Sequence, residues 1–128
     1  MNQRIALGLT LLAGVAIGAT AIQGLHAQAK PKADSVSELE VIDAAAAAAY
    51  GQLVTPRIEA AGGHTLNTAG GKVVGIAGAA PPTRVAINEW NSADQARAFF
   101  TSSAWLDLAP QRNKAQKVLR IYAVEAVQ

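Results

Sequence analysis

A chain of 128 residues with a net charge of +2 has room for one domain and no more. It contains no cysteine, which excludes a disulfide framework and thiolate metal sites. Its 11 Lys and Arg stand against 9 Asp and Glu, and Arg4 falls in a removable leader, so no basic footprint for nucleic acid remains.

The leader comes first. A short stretch carrying Arg4 precedes an apolar run over residues 5–22, and "AQA" at residues 27–29 has the small-x-small form that signal peptidase cuts. Residues 1–29 are therefore predicted to be a signal peptide, removed after Ala29, and the mature chain to be periplasmic or secreted. The rival is a membrane anchor, because a span takes roughly 20 apolar residues. Gly14 and Gly18 have the spacing of a helix-pairing motif, which carries little weight in so Gly-rich a run. If the leader were kept, it would be the chain's one membrane contact. "KPKAD", residues 30–34, reads as a linker, and residues 35–128 as the domain.

"SVSELEV", residues 35–41, predicts a first strand by its near-alternation. "DAAAAAAYGQLVTPRIEAA" predicts a helix capped by Asp43. Ala46, Tyr50, Leu53, Val54, Ile58 and Ala61 form its apolar face. Pro56 should kink or restart this helix, and Gly62 should end it. "HTLNT" and "KVVGIAG" read as two short strand pieces around Gly70 and Gly71. "RVAINEW", residues 84–90, is the cleanest strand. Ser92 and Gln95 then form a capping box for a helix with Ala96, Phe99 and Phe100 inward. Residues 103–117 read as a helical segment broken near Pro110, and "VLRIYAVEAV" as the last strand.

The order β-α-β-β-α-β predicts an α+β, ferredoxin-like domain. Both main helices would lie on one face of a four-stranded antiparallel sheet, and the first strand would run between the third and the fourth. The bare face invites burial against a second copy, so a homodimer is expected.

Read to this point, the chain resembles domain-of-unknown-function family thirteen-thirty, small bacterial proteins of the dimeric α/β-barrel type. The matching pieces are "AAGG", "GGKVVGIAG", "PPTRVAINEW", "SADQARAFFTSSAW", "LAPQR" and "YAVEAV". The exported leader ending "HAQAKP" resembles a subgroup of that family. The first strand departs from the pattern by lacking an aromatic start. The resemblance implies the dimeric fold and brings no general activity. Kinship of fold with cofactor-free monooxygenases and haem-degrading enzymes is analogy, since fold does not fix function.

The glycine pairs of "AAGGHTLNTAGGKVVG" suggest a phosphate loop, but the pattern fails. A Walker loop ending at Gly71-Lys72 needs glycine where Leu66 stands, and Ser or Thr where Val73 stands. No cofactor is expected. His64 is the one histidine beyond the leader. It lacks the spacing of a metal site and reads as a strand-edge residue, or else as a proton-transfer group in a pocket.

Strand alternation yields the candidate site. In "RVAINEW", Val85 and Ile87 are expected under the helices, with Arg84, Asn88 and Trp90 on the bare face. Arg120 and Tyr122 of the last strand, and Glu38 and Glu40 of the first, should join them there, opposite Leu119, Ile121 and Ala123. Glu38 and Glu40 would then lie between Arg84 and Arg120. Such a face suits a small polar organic ligand held between two sheets, and equally a salt-bridged dimer interface. Glu89, beside the helix start, reads as a dipole partner or as an edge residue. Arg112 could reach a ligand carboxyl group, though a solvated helix position is the plainer reading. No hydrolase triad or elbow motif is present. Three functions stay open: a ligand-binding module, a cofactor-independent enzyme of oxygenase or isomerase type, and an interaction domain without ligand.

Overall fold

The structure, a computed structural model, describes residues 29–128. All but the last residue of the predicted leader lies outside the described residues. Among the described residues no helix is long and apolar enough to cross a membrane.

The elements run β1 (Ala33–Val41), α1 (Ala44–Ala60), β2 (His64–Thr65), β3 (Arg84–Trp90), α2 (Ala93–Phe100), α3 (Ser103–Leu106), α4 (Ala109–Ala115) and β4 (Gln116–Glu125). The sheet order is β2-β3-β1-β4, with every pairing antiparallel. This is the expected ferredoxin-like arrangement, with the first strand between the third and fourth. β1 begins inside the stretch read as a linker: Ala33 is buried, and Lys32 O accepts from Ala126 N at 2.8 Å.

α1 starts where Asp43, in extended conformation, accepts from Ala46 N through Oδ1 at 2.8 Å. The helix continues through Pro56 rather than restarting there. It ends in a Schellman motif: Gly62 N donates to Glu59 O and Gly63 N to Ile58 O. Gly62 takes φ 92°, a conformation that costs a glycine little. Tyr50 and Ile58 are buried as expected, whereas Leu53 is exposed and Ala47 takes an inward place. At α2, Gln95 N donates to Ser92 Oγ at 3.1 Å. The return bond of this capping box goes one residue further out, from Asn91 N to Gln95 Oε1.

Two expectations fail in the second half of the chain. "KVVGIAG" forms no strand, and β2 is only His64 and Thr65. Gly70 and Gly71 belong to a turn closed by Gly71 N on Thr68 O, within a long loop over residues 66–83. In β4 the register shifts between Glu38 and Leu39, which pair with Arg120 and Val118. Leu119 is the extra, bulged residue. It is exposed, and Val118 takes the inward place expected of it.

The core has two centres. Ala47, Tyr50, Leu108 and Ala115 form one, against Val41. Ile58, Trp90, Ala96 and Phe99 form the other, flanked by Phe100 and Trp105. Four tilted or edge-on aromatic contacts tie the second together, from Trp90–Phe99 at 5.5 Å to Phe100–Trp105 at 5.5 Å.

Candidate functional site

Register assigns each strand residue to a face, since residues directly opposite share one. Ala33, Ser35, Ser37 and Leu39 face the helices and are all buried. Opposite them stand Trp90, Asn88, Ala86 and Arg84. The expected faces of β3 are therefore reversed. Arg84, Asn88 and Trp90 lie under the helices, and Val85 and Ile87 lie on the open face. The physical reason is Trp90: its indole, 2% exposed, fills the space against Ile58, Ala96 and Phe99. That one large side chain outweighs two β-branched ones in setting the strand's face.

The eight candidate residues thus divide into separate groups. On the open face, Arg120 grips Glu38 with two bonds, Nε to Oε2 at 2.6 Å and Nη2 to Oε1 at 3.0 Å. The Tyr122 hydroxyl lies on the same face and helps to hold the Glu38 carboxyl ionised. Glu40 stands opposite Lys117 and is exposed. Arg84 does not join this group. His64 is exposed on β2, opposite Glu89. It borders a cleft of about 290 Å³ with Lys32, Asp34 and Asn91. Glu89 is exposed on the open face rather than placed over a helix end.

The Arg120 hydrogen bond holds the Glu38 carboxyl below the usual carboxylate range, against a smaller opposing push from burial. The Glu38 carboxylate in turn raises the Tyr122 hydroxyl above its ordinary value. A lowered carboxyl contributes stability above its unfolded pKa and loses it as pH falls through the folded value. The pair should therefore weaken on acidification below about pH 4. Arg120 is 69% exposed, so the effect is small. Urea midpoints at pH 7 and pH 3 should drop further in the wild type than in Glu38→Gln. Equal drops would show that the ion pair contributes nothing.

Beneath the helices the polar residues form a chain. Thr65 Oγ1 donates to Asn88 Oδ1 at 2.8 Å. Ser35 Oγ accepts from Asn88 Nδ2 at 3.5 Å and from Trp90 Nε1 at 2.9 Å. Asn88 and Trp90 are nearly sealed from solvent, and each polar atom in the chain has a partner.

Asn88 also borders a cavity of about 540 Å³ between α1, β3 and the start of the long loop. Tyr50, Val54, Ile58, Leu66 and Ala86 give it apolar walls, and Arg84, Asn88 and Gln116 supply polar groups. Arg84 is held at its edge beside Gly70, where a Cβ would lie 3.1 Å from Nη2. Gln116 and Tyr50 were missed as site residues. Gln116 follows directly on a helix, and Tyr50 reads from sequence as ordinary core.

Arg112 departs most from expectation. It is 5% exposed rather than solvated. Its guanidinium stacks on Trp105, 3.5 Å from the ring centroid. Nη1 donates to Trp105 O at 2.9 Å and to Tyr50 Oη at 3.4 Å. Among the described residues no group of three acidic or histidine side chains is placed to hold a metal ion.

Solved structures show where this fold recurs. The RPA0582 protein of unknown function from Rhodopseudomonas palustris superposes with a TM-score of 0.61 at 15% identity, over 85% of this chain and 93% of that one. SnoaB, a cofactor-independent oxygenase from Streptomyces nogalater, gives a TM-score of 0.55 at 14% identity, over 77% of this chain and 95% of that one. At such identities the likeness establishes the fold, of ferredoxin-like, dimeric α/β-barrel type. No curated protein matches the chain. A family described as Domain of unknown function (DUF1330) matches residues 32–127. The match takes in every strand and helix of the sheet domain, and the chain belongs to the DUF1330 family.

Proposed function

We propose that this DUF1330 chain is an exported domain that pairs with a second copy through its open sheet face. Each copy would hold a small organic molecule beneath α1. The observation that carries the ligand reading is the cavity of about 540 Å³, whose apolar walls are interrupted by polar side chains that include Glu59, Thr65, Arg84, Asn88 and Gln116. Binding sites for small molecules have that size and that mixture. The ligand space is placed inside each chain rather than between two sheets, because Arg84 and Asn88 point there.

The open face supports pairing. Val85 and Ile87 lie on it half-buried, beside exposed Tyr122 and Val124. A sheet face that mixes such apolar side chains with the Glu38–Arg120 ion pair suits burial against its own copy. The three-part amino terminus supports export.

A second reading, a cofactor-independent small-molecule enzyme, is favoured by the hydrogen-bond chain from Thr65 through Asn88 to Ser35. It runs from the cavity to the buried Trp90. The likeness of fold to the oxygenase SnoaB is compatible with that reading.

One experiment addresses these points together. The full chain is expressed with its own leader, recovered from the periplasm and examined by native mass spectrometry. The expected species is a dimer of chains beginning at Lys30, carrying a small organic adduct. Ala86→Phe, which fills the cavity, should reduce the adduct at least tenfold without breaking the dimer. A binding module returns the adduct unaltered after incubation in air, and an enzyme changes its mass. A folded wild-type dimer with no adduct would leave only the interaction-domain reading.

A further inference from the structure

Among the described residues, no carboxylate neutralises the charge of Arg112. Buried cations are ordinarily paired with carboxylates, because removing an unpaired charge from water is costly. Arg112 is 5% exposed. Glu38 pairs with Arg120, and no carboxylate of the described residues is placed within ion-pair distance of Arg112. What holds it is a π face, a backbone carbonyl and a phenol: the Trp105 ring, Trp105 O and Tyr50 Oη. All three orient the guanidinium, and none cancels its charge. Both hydrogen bonds leave from Nη1, so the donors on Nη2 and Nε remain for another partner.

Arg112 also faces space. It borders an inner void of about 60 Å³ between the helices and the sheet, with Ser37, Val118 and Ile121 on the far side. That is room for a group the size of a carboxylate. Tyr50, Ile58, Ala86, Asn88 and Gln116 line this void and also the large cavity. The two spaces therefore adjoin along side chains that line both. Asn88 and Gln116 supply amide groups where they meet, and the Tyr50 hydroxyl links that junction to the guanidinium.

We infer that Arg112 is the anion-binding end of the ligand site. The ligand would be an organic acid, with an apolar body in the large cavity and a carboxylate or similar anionic group turned inward to Nη2 and Nε. Stacking on Trp105 fixes the plane of the guanidinium, which is what a two-toothed grip on a carboxylate requires. An anion there would give the buried cation its missing partner. The inference rests on the cavity being a ligand site and adds the class of ligand to it.

The test uses two probes of one shape and different charge, 1-naphthoate and 1-naphthamide. Both are titrated into the full-length protein at neutral pH and followed by calorimetry and by heteronuclear NMR of the arginine Nε–H groups and cavity side chains. Naphthoate should bind at least tenfold more tightly than the amide and shift the Arg112 Nε–H resonance. Arg112→Lys and Arg112→Gln should reduce the ratio of naphthoate to naphthamide affinity, Gln bringing it to one. Both variants remove core contacts to Tyr50 and Trp105, so the Arg112 resonance of the wild type stands as an independent readout. Equal affinity for both probes, with signals of Tyr50 and Ala86 shifting, would overturn the anion site and leave the cavity reading intact. Failure of both probes to shift any cavity signal would overturn both.

Discussion

Trp90→Ala is expected to cost about 3–5 kcal/mol of folding stability, the range for removing a large aromatic side chain from a core. Native domains keep about 5–15 kcal/mol in reserve, and a domain this small stands toward the low end. The substitution should therefore leave the chain close to unfolded at 37 °C. The indole is 2% exposed and packs with Ile58, Ala96 and Phe99. It also stands edge-on to Phe100, with centroids 6.3 Å apart. Removing it opens a hole among rings that cannot all close in, and takes the donor at 2.9 Å from Ser35 Oγ. Trp90→Phe separates these losses: it keeps a ring in the hole and removes the N–H, for about 1–3 kcal/mol. Urea unfolding followed by far-UV circular dichroism measures both. A cost under about 1 kcal/mol for the alanine variant would mean that the aromatic cluster is not the main support of this end of the sheet.

Gly63→Ala should cost about 1–3 kcal/mol, by overpacking. A Cβ on Gly63 would come within 2.8 Å of Ile58 Cγ2 and of Cη2 and Cζ3 of Trp90. Real Cβ atoms do not approach so closely, so the indole or the helix end must move. Neither moves freely, because Gly63 N is bonded to Ile58 O in the turn that ends α1. Gly51→Ala is the control with the opposite sign. Gly51 lies inside α1, and a Cβ there would meet nothing within 4 Å. Alanine at a helix-interior glycine should add about 0.5–1 kcal/mol. Two identical chemical changes, twelve positions apart, should thus move the urea midpoint in opposite directions. A shift in the same direction for both would refute the close-packing account of Gly63.

Much of this architecture was legible because it is locally encoded. Asp43 and Ser92 cap helices through their own side chains, and Gly62 adopts the positive φ that ends α1. The order of elements then implied the sheet order. The candidate site was less legible, because its geometry is set by distant partners. Alternation in "RVAINEW" says that Val85 and Ile87 share a face. It cannot say which face, and Trp90 decides that by packing against Ile58 and Phe99, residues of two different helices. The bulge at Leu119 is invisible to a period of two, yet it exchanges Leu119 for Val118 on the inner face. Arg112 looked like a solvated helix residue because its neighbours in sequence are polar. Its burial comes from Tyr50 and Trp105.

Of the eight residues proposed from sequence, Glu38, Arg120 and Tyr122 do meet as one group. Arg84 and Asn88 meet as part of another, on the opposite side of the sheet. The amides and guanidinium that border the cavity come from β3, α4 and the start of β4. No short motif holds them, so no spacing rule could have collected them.

The placement of β1 has a consequence for the order of events during synthesis. β1 is the first strand made, and it occupies the middle of the sheet, with β4, the last strand made, along one side. Ala33 pairs with Glu125 across almost the whole length of the domain. Until β4 has been made, β1 keeps an edge of unpaired N–H and C=O groups, which is sticky toward other chains. Closing so long a loop before the pairing can repay it makes folding slow compared with a helical bundle of the same size. A nascent chain of this kind gains by being held unfolded until β4 is free to pair.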